Sequence, residues 1–280
     1  MDKFTVNPEK KIKKEIKEMV QNDLDNKLFH LNGDKIFSEP IIGFADGRDQ
    51  IFTEYKNIIG DFHKTPAEWL NTAGKDSYEN ISVICWILPI SKKTRKSNTK
   101  QQKIPSERWA HTRNCGEKFN NKLRKFVVSL LKRNGYQAIA PMLSDKFEWK
   151  NTEKSGIAST WSERHAMYAA GLGTFGLCDG LITKAGKAMR CGSVITSMEL
   201  KASERNFKNH SEYCLFLEDG KCGKCIKRCP GNAITQEGHS KEKCLEYQRE
   251  NIDPARYGED MEVVGCGLCQ TDVPCEGQLP

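Results

Sequence analysis

The chain has 280 residues, a net charge of +7, 38% hydrophobic residues and twelve cysteines. That length allows one large core, or a domain of about 200 residues with a smaller appendage. The best apolar run, ISVICWILPI at 81–90, falls short of the roughly 20 residues that span a bilayer, so no membrane role is expected. The N-terminus MDKFTVNPEKKIKKEIKEM carries no apolar signal core, and reduced thiols in a cytoplasmic setting are the expectation.

Taken in order, Asn7 and Pro8 give an N-cap and a first-turn proline. They predict a helix with Ile12, Ile16, Met19, Val20, Leu24 and Leu28 on one face and Lys and Glu on the other. IIGFADGRD at 41–49 suggests a short strand and a loop. Helical spacing returns from Gln50 to Ile59, and Thr65-Pro66-Ala67-Glu68 carries the start signals of another helix. A buried strand at 81–88 precedes SKKTRKSNTKQQK, residues 91–103, which hold six basic residues and no acidic one. Without interleaved aromatics for bases to stack on, that stretch reads as a solvated loop, with a grip on phosphate as the alternative. From about Ser106 to Arg133, the spacing of Phe119, Leu123, Phe126, Val127, Leu130 and Leu131 predicts a long amphipathic helix, stopped by Asn134-Gly135. YQAIA reads as a strand ending at Pro141, and 142–160 as a long loop of the kind that carries function. Helix followed by strand, twice over, predicts a mixed α/β layer.

Residues 159–200 are STWSERHAMYAAGLGTFGLCDGLITKAGKAMRCGSVITSMEL. A helix is predicted from near Ser162, with a small-residue face at Ala166, Ala169 and Ala170, closed by Gly171. Gly171, Gly173 and Gly176 spell GxGxxG, but a helix precedes them and the strand GLIT follows, the reverse of a Rossmann turn. The expectation is a loop bare of side chains against which a large ligand or cluster sits, with a plain tight turn as the alternative. Glu163 and His165 are candidate proton donors, beside Tyr168, Asp145 and Glu148. Their plainer roles are a helix cap for Glu163 and a satisfied core group for His165. Cys178 and Cys191 flank the same loop, as buried small hydrophobes or as ligand or redox groups.

Residues 214–275 hold eight of the twelve cysteines: Cys214, Cys222, Cys225, Cys229, Cys244, Cys266, Cys269 and Cys275. CGKCIKRCP places Cys222, Cys225 and Cys229 with two and then three residues between them, and Pro230 follows. This is the back half of a bacterial ferredoxin run, whose last cysteine reaches to the other cluster of a pair. The first cysteine of such a run would fall at Asp219, a poor soft ligand, and the nearest upstream thiol is Cys214. The crossover logic assigns Cys214, Cys222, Cys225 and Cys275 to one [4Fe-4S] cluster, and Cys229, Cys244, Cys266 and Cys269 to the other. Structural zinc and a disulfide framework are the competing readings; the three-residue step before proline suits a zinc knuckle poorly.

A helix ending in AGLG, a following glycine, the strand CGSVIT and then CxxxCP, an isolated Cys and CxxC resemble epoxyqueuosine reductases and the reductive dehalogenases of the same double-cluster branch. The resemblance covers about 106–275. It implies a nitroreductase-like α/β (α+β) domain with a mixed sheet and flanking helices, at 1–205, and a ferredoxin-like double-cluster domain at 206–280. It also implies a cobalamin, with Gly171, Leu172 and Gly173 lining the corrin and Gly176 and Ser193 near it; a flavin is the alternative occupant. Two departures concern the substrate. The position where those reductases carry an acidic proton donor is Ile157 here, and the chain ends at Pro280 where they continue into helical repeats that hold tRNA. Epoxyqueuosine in tRNA is therefore not the expected substrate.

The resulting expectation is an oxygen-sensitive iron–sulfur reductase that takes low-potential electrons from a donor such as a ferredoxin or flavodoxin. It would pass them through both clusters to the cobalamin and a small-molecule substrate. The alternative is an electron-transfer or activating protein that reduces the cobalt of a separate corrinoid protein.

Overall fold

The computed structural model describes residues 7–74, 77–153 and 156–280. Helix α1 (Pro8–Asn22) begins where the Asn7 side chain accepts a hydrogen bond from the Lys10 amide, and it buries Ile12, Ile16 and Val20. The predicted apolar stripe stops there. The Asp23 carboxylate accepts from the Asp25 amide and turns the chain into a 3-10 turn. Leu24 is left exposed, and Leu28 is carried into β1 (Lys27–Leu28), which pairs with β2 (Asp34–Lys35).

Strand β3 (Ile41–Asp46), α2 (Ile51–Ile59) and α3 (Pro66–Asn71) follow, the last opened by a full capping box between Thr65 and Glu68. Next come β4 (Ser82–Pro89), α4 (Lys92–Thr99), the long α5 (Glu107–Arg133) and β5 (Ala138–Ile139). A hairpin of β6 (Trp149–Thr152) and β7 (Gly156–Ser159) leads to α6 (Glu163–Ala169). A second hairpin, β8 (Gly173–Phe175) and β9 (Leu181–Thr183), leads to β10 (Met189–Thr196).

The central sheet runs β3-β4-β10-β5. Each of its pairings is antiparallel, so the sheet is not the mixed one expected and the architecture is α+β. All eight residues of β4 are buried, because both faces of the sheet are covered. Ile84, Trp86 and Leu88 pack toward α1 and α5, against Ile12, Phe119, Leu123 and Val127. Val83, Cys85 and Ile87 pack toward α2, α3 and α6, against Phe52, Trp69, Trp161 and Met167. Each such side chain contributes roughly 1.5–3 kcal/mol of burial. The outer edge of β3 is covered rather than bare, since Phe44 and Ser203 exchange hydrogen bonds through the Phe44 backbone.

Two loop expectations are corrected. The basic stretch 91–103 is mostly α4, N-capped by the Ser91 hydroxyl, with Thr94 and Asn98 buried one turn apart. The segment 142–160 contains the β6–β7 hairpin, whose first strand is exposed and so shows no apolar alternation.

Beyond residue 206 the elements are short: α7 (Leu215–Asp219), α8 (Lys224–Lys227), the β11 (Ile234–Thr235) and β12 (Gly238–His239) hairpin, and α9 (Lys241–Asn251). They surround a small core in which Ile234 and Val273 join Leu177, Cys178 and Ile182 from the β8–β9 region. The thiol-rich part is docked on α4 and α5. Arg228 donates to the carbonyls of Asn98 and Gln101, Asn98 donates to Thr271, and Arg95 pairs with Glu276 at 3.0 Å. The Tyr247 and Tyr257 hydroxyls donate to the Lys103 and Pro105 carbonyls. Among the described residues no helix is long and apolar enough to cross a membrane.

Candidate functional site

The eight C-terminal thiols stand around two cavities. Cys214, Cys222, Cys225 and Cys275 line a narrow one, walled by Leu177, Ile182, Phe216 and Val273. Cys229, Cys244, Cys266 and Cys269 line a larger one of about 230 Å3, between the thiol-rich part and the sheet domain. Each set is the one that the crossover spacing groups together.

A ninth thiol belongs to this array. Cys178 also lines the larger cavity, is 6% exposed, and interacts with Cys225 of one set and Cys269 of the other. Its sulfur accepts a hydrogen bond from Lys187 Nζ at 3.2 Å. Hydrogen bonds from Cys225 and Cys269, together with the Lys187 charge, hold its ionisation well below the usual thiol range. The surrounding thiols behave in the opposite sense. Cys225 is pushed up mainly by its bond to Cys178, Cys275 by burial, and Cys266 by burial to about 11. Without a compensating cation these sulfurs resist becoming thiolates, and a bound metal reverses that preference.

The donor set suits iron–sulfur clusters. The sulfurs are soft ligands in two groups of four, and the surroundings supply donors to sulfur. The Ala233 amide donates to Cys229 Sγ at 3.2 Å, and Gln248 Nε2 to Cys244 Sγ at 3.3 Å. Buried Lys187 acts on Cys178, Cys275, Cys269 and Cys225, while Arg228 acts on Cys266. Among the described residues no group of three or more His, Cys, Asp or Glu converges on a single metal ion.

Of the five positions that the resemblance assigns to a corrin, Gly176 borders the narrow thiol cavity, and the other four line neither thiol cavity. Gly171 has φ +70, and a Cβ there would stand 2.2 Å from the Glu204 carbonyl oxygen; one at Gly173 would meet the Ile182 carbonyl at the same distance. Leu172 packs over Gly43, and Gly176 faces Ile182 and borders the narrow thiol cavity. Ser193 is fully buried and its hydroxyl accepts from Trp161 Nε1 at 2.9 Å. Each of these residues makes a close contact within the chain, and no chemistry is derived through a corrin. Of the three glycines, Gly171 is the one whose positive φ a turn requires.

Glu163 and His165 start the same helix but differ in what they can hold. His165 is bonded to Ser162 Oγ at 2.7 Å and edged by Tyr55 and Phe175. Burial pushes its pKa down to about 3, so the ring is neutral near pH 7 and has no imidazolium proton to give. Glu163 is buried, with Arg124 Nη2 3.4 Å from Oε1 and Ser193 beside it. Burial raises it to about 7, against the pull of Arg124. It is the one of the two that exchanges a proton near neutrality.

Sequence reasoning missed the arginines of the larger cavity, Arg113 on α5, Arg164 on α6 and Arg190 on β10. A signal existed on α5, where Arg113, Glu117 and Arg124 recur at four- and seven-residue spacing on one helix face. Glu117 is shared between Arg190 and Arg124, with Arg113 3.8 Å away. Despite its burial, Arg190 and Arg124 hold it down to about 2.

No protein-family model and no curated protein matches the chain. Among solved structures, epoxyqueuosine reductase from Bacillus subtilis matches with a TM-score of 0.49 and 15% identity, over 95% of this chain and 66% of that one. The enzyme from Streptococcus thermophilus matches at 0.45 and 19%, over 96% and 68%. A catabolic reductive dehalogenase matches at 0.47 and 14%, over 82% of this chain and 29% of that one. The chain thus spans about two thirds of the reductases it matches and under a third of the dehalogenase. These are the two groups of proteins that the order of its cysteines resembles.

Proposed function

We propose that this chain is an iron–sulfur reductase, delivering low-potential electrons through two [4Fe-4S] clusters, one held by each set of four thiols, to a small-molecule substrate. The clusters, when bound, supply single-electron transfer at low potential. The observation that carries the reading is the division of eight thiols into two fours around adjoining cavities, with Cys178 touching one member of each. Lys187 and Arg228 offset the negative charge that the thiolates bring into a buried setting. Glu163, buried beside Arg124 and raised to about 7, is the proton source this reading takes within the chain. A ferredoxin or flavodoxin remains the class of electron donor.

A second reading has one observation in its favour. Four of the five residues assigned to a corrin line neither thiol cavity, which suits a protein that reduces the cobalt of a separate corrinoid protein. Purification without air from cells supplied with cobalamin, followed by metal and sulfide analysis, tests the proposal. The reductase reading expects about eight iron and eight sulfide per chain. Zinc in place of iron, or bonded sulfur pairs, would overturn it. With iron in place, reoxidation of the reduced protein by a corrinoid protein but by no small molecule would favour the second reading.

A further inference from the structure

We propose that the outward face of α4 is the docking surface for a small acidic electron-carrier protein, with Lys92, Lys96 and Lys100 as its central charges. The inference rests on the reductase reading, since the carrier is taken to be the source of the electrons that enter the thiol-bound clusters.

The stretch 91–103 holds six basic residues and no acidic one, and folding sorts them by side. Thr94 and Asn98 are buried, while Lys92, Lys96 and Lys100, spaced four apart on the opposite face, are exposed. Arg95, the one arginine, is turned to Glu276 at 3.0 Å. Lys93 and Arg108 share Asp34 at 2.6 and 2.8 Å, and with Lys96 and Lys100 they border a shallow open groove. Among the described residues no carboxylate stands within salt-bridge distance of Lys92, Lys96 or Lys100. Exposed Asp272, next to the Thr271 that Asn98 bonds, offsets part of the charge.

The same helix is what the thiol-rich part rests on. Asn98 donates to Thr271, two residues past Cys269, and Arg228, beside Cys229, donates to the Asn98 and Gln101 carbonyls. Glu276, beside Cys275, takes Arg95 and the Thr99 hydroxyl. One helix, about 10 Å across, therefore stands between the lysine face and segments that carry ligands of both sets.

A plainer account is a solvated face with no partner. Exposed lysines elsewhere are matched, however: Lys14 by Glu18, Lys17 by Glu39 and Lys118 by Glu262. Nucleic acid is the other polyanion to weigh. The stretch has no aromatic for bases to stack on. Its outward charges are all lysine, a hydrated point charge suited to a brief, salt-sensitive encounter more than to forked recognition of phosphate.

The test is stopped-flow reduction of protein purified without air, with iron and sulfide measured, by a reduced acidic flavodoxin; dithionite, which needs no docking face, is the reference. The flavodoxin rate is expected to fall about tenfold or more between about 0.01 and about 1 M salt. Lys96→Glu and Lys100→Glu in one chain are expected to lower it about tenfold or more at low salt. Lys132→Glu and Arg133→Glu, the same change of charge at exposed positions in the last turn of α5, should leave it within about twofold. Iron content and dithionite reduction should be unchanged in both variants. Reduction by dithionite but not by flavodoxin, a rate indifferent to salt, an unaltered rate in the α4 variant, or an equal loss in both variants overturns the inference. An α4 variant that keeps its flavodoxin rate but no longer retains an RNA stem-loop would give the face to nucleic acid instead. Protein that dithionite fails to reduce would count against the reductase reading on which the face depends.

Discussion

Gly171 is held at φ +70 with the Glu204 carbonyl where its Cβ would be. Gly171→Ala is therefore expected to lower stability by about 2 kcal/mol or more, read as a fall in Tm, whether or not any ligand is present. Glu163 gives a pH signature. Its folded pKa of about 7 lies above the usual 4.5, so its stabilising contribution is full below about pH 4.5 and is lost as pH rises through 7. Glu163→Gln should remove that decline, a difference of at most about 3 kcal/mol between pH 5 and pH 8 in denaturant titrations. His63 and His165 act with the opposite sign: burial takes them to about 4 and about 3, below the usual 6.5. The stability they contribute is present above pH 6.5 and is lost as pH falls toward 4, so the acid limb should persist in Glu163→Gln. Cysteine spacing made the two sets of four readable. Cys178 and Lys187 were not, because a lone cysteine nine residues before a lysine has no pattern, and folding alone brings the pair to 3.2 Å.

At the level of elements, α4 shows what periodicity cannot see. Its buried positions are Thr94 and Asn98 rather than apolar residues, and Asn98 ties Ser106 to Thr271 across the seam with the thiol-rich part. Asn98→Ala leaves those groups unpaired. It is expected to cost about 1–3 kcal/mol and to speed loss of iron on exposure to a chelator, followed by absorbance. By contrast β4 was legible, because a strand covered on both faces is apolar at every position. So were the ends of α1, α3 and α5, where the caps are side chains fixed by sequence. The β6–β7 hairpin escaped notice because Trp149, Lys150 and Asn151 are all exposed, leaving no alternation to read.

Over the whole molecule, the sheet domain and the thiol-rich part share one seam, and the larger cavity opens on it between α5, β10 and the Cys229 set. The helix-and-strand content of the sheet domain was readable from the chain. Its strand order and antiparallel sense were not, because β10 pairs with β4 across about a hundred residues. The two sets of thiols meet through Cys225, Cys178 and Cys269, and the proposed reading takes this as the route of direct electron exchange between two clusters. Electron paramagnetic resonance of the dithionite-reduced protein, kept from air, tests this most directly. The account predicts two reduced [4Fe-4S] centres whose spectra are broadened by mutual magnetic interaction. A single isolated centre, or two that show no interaction, would contradict it.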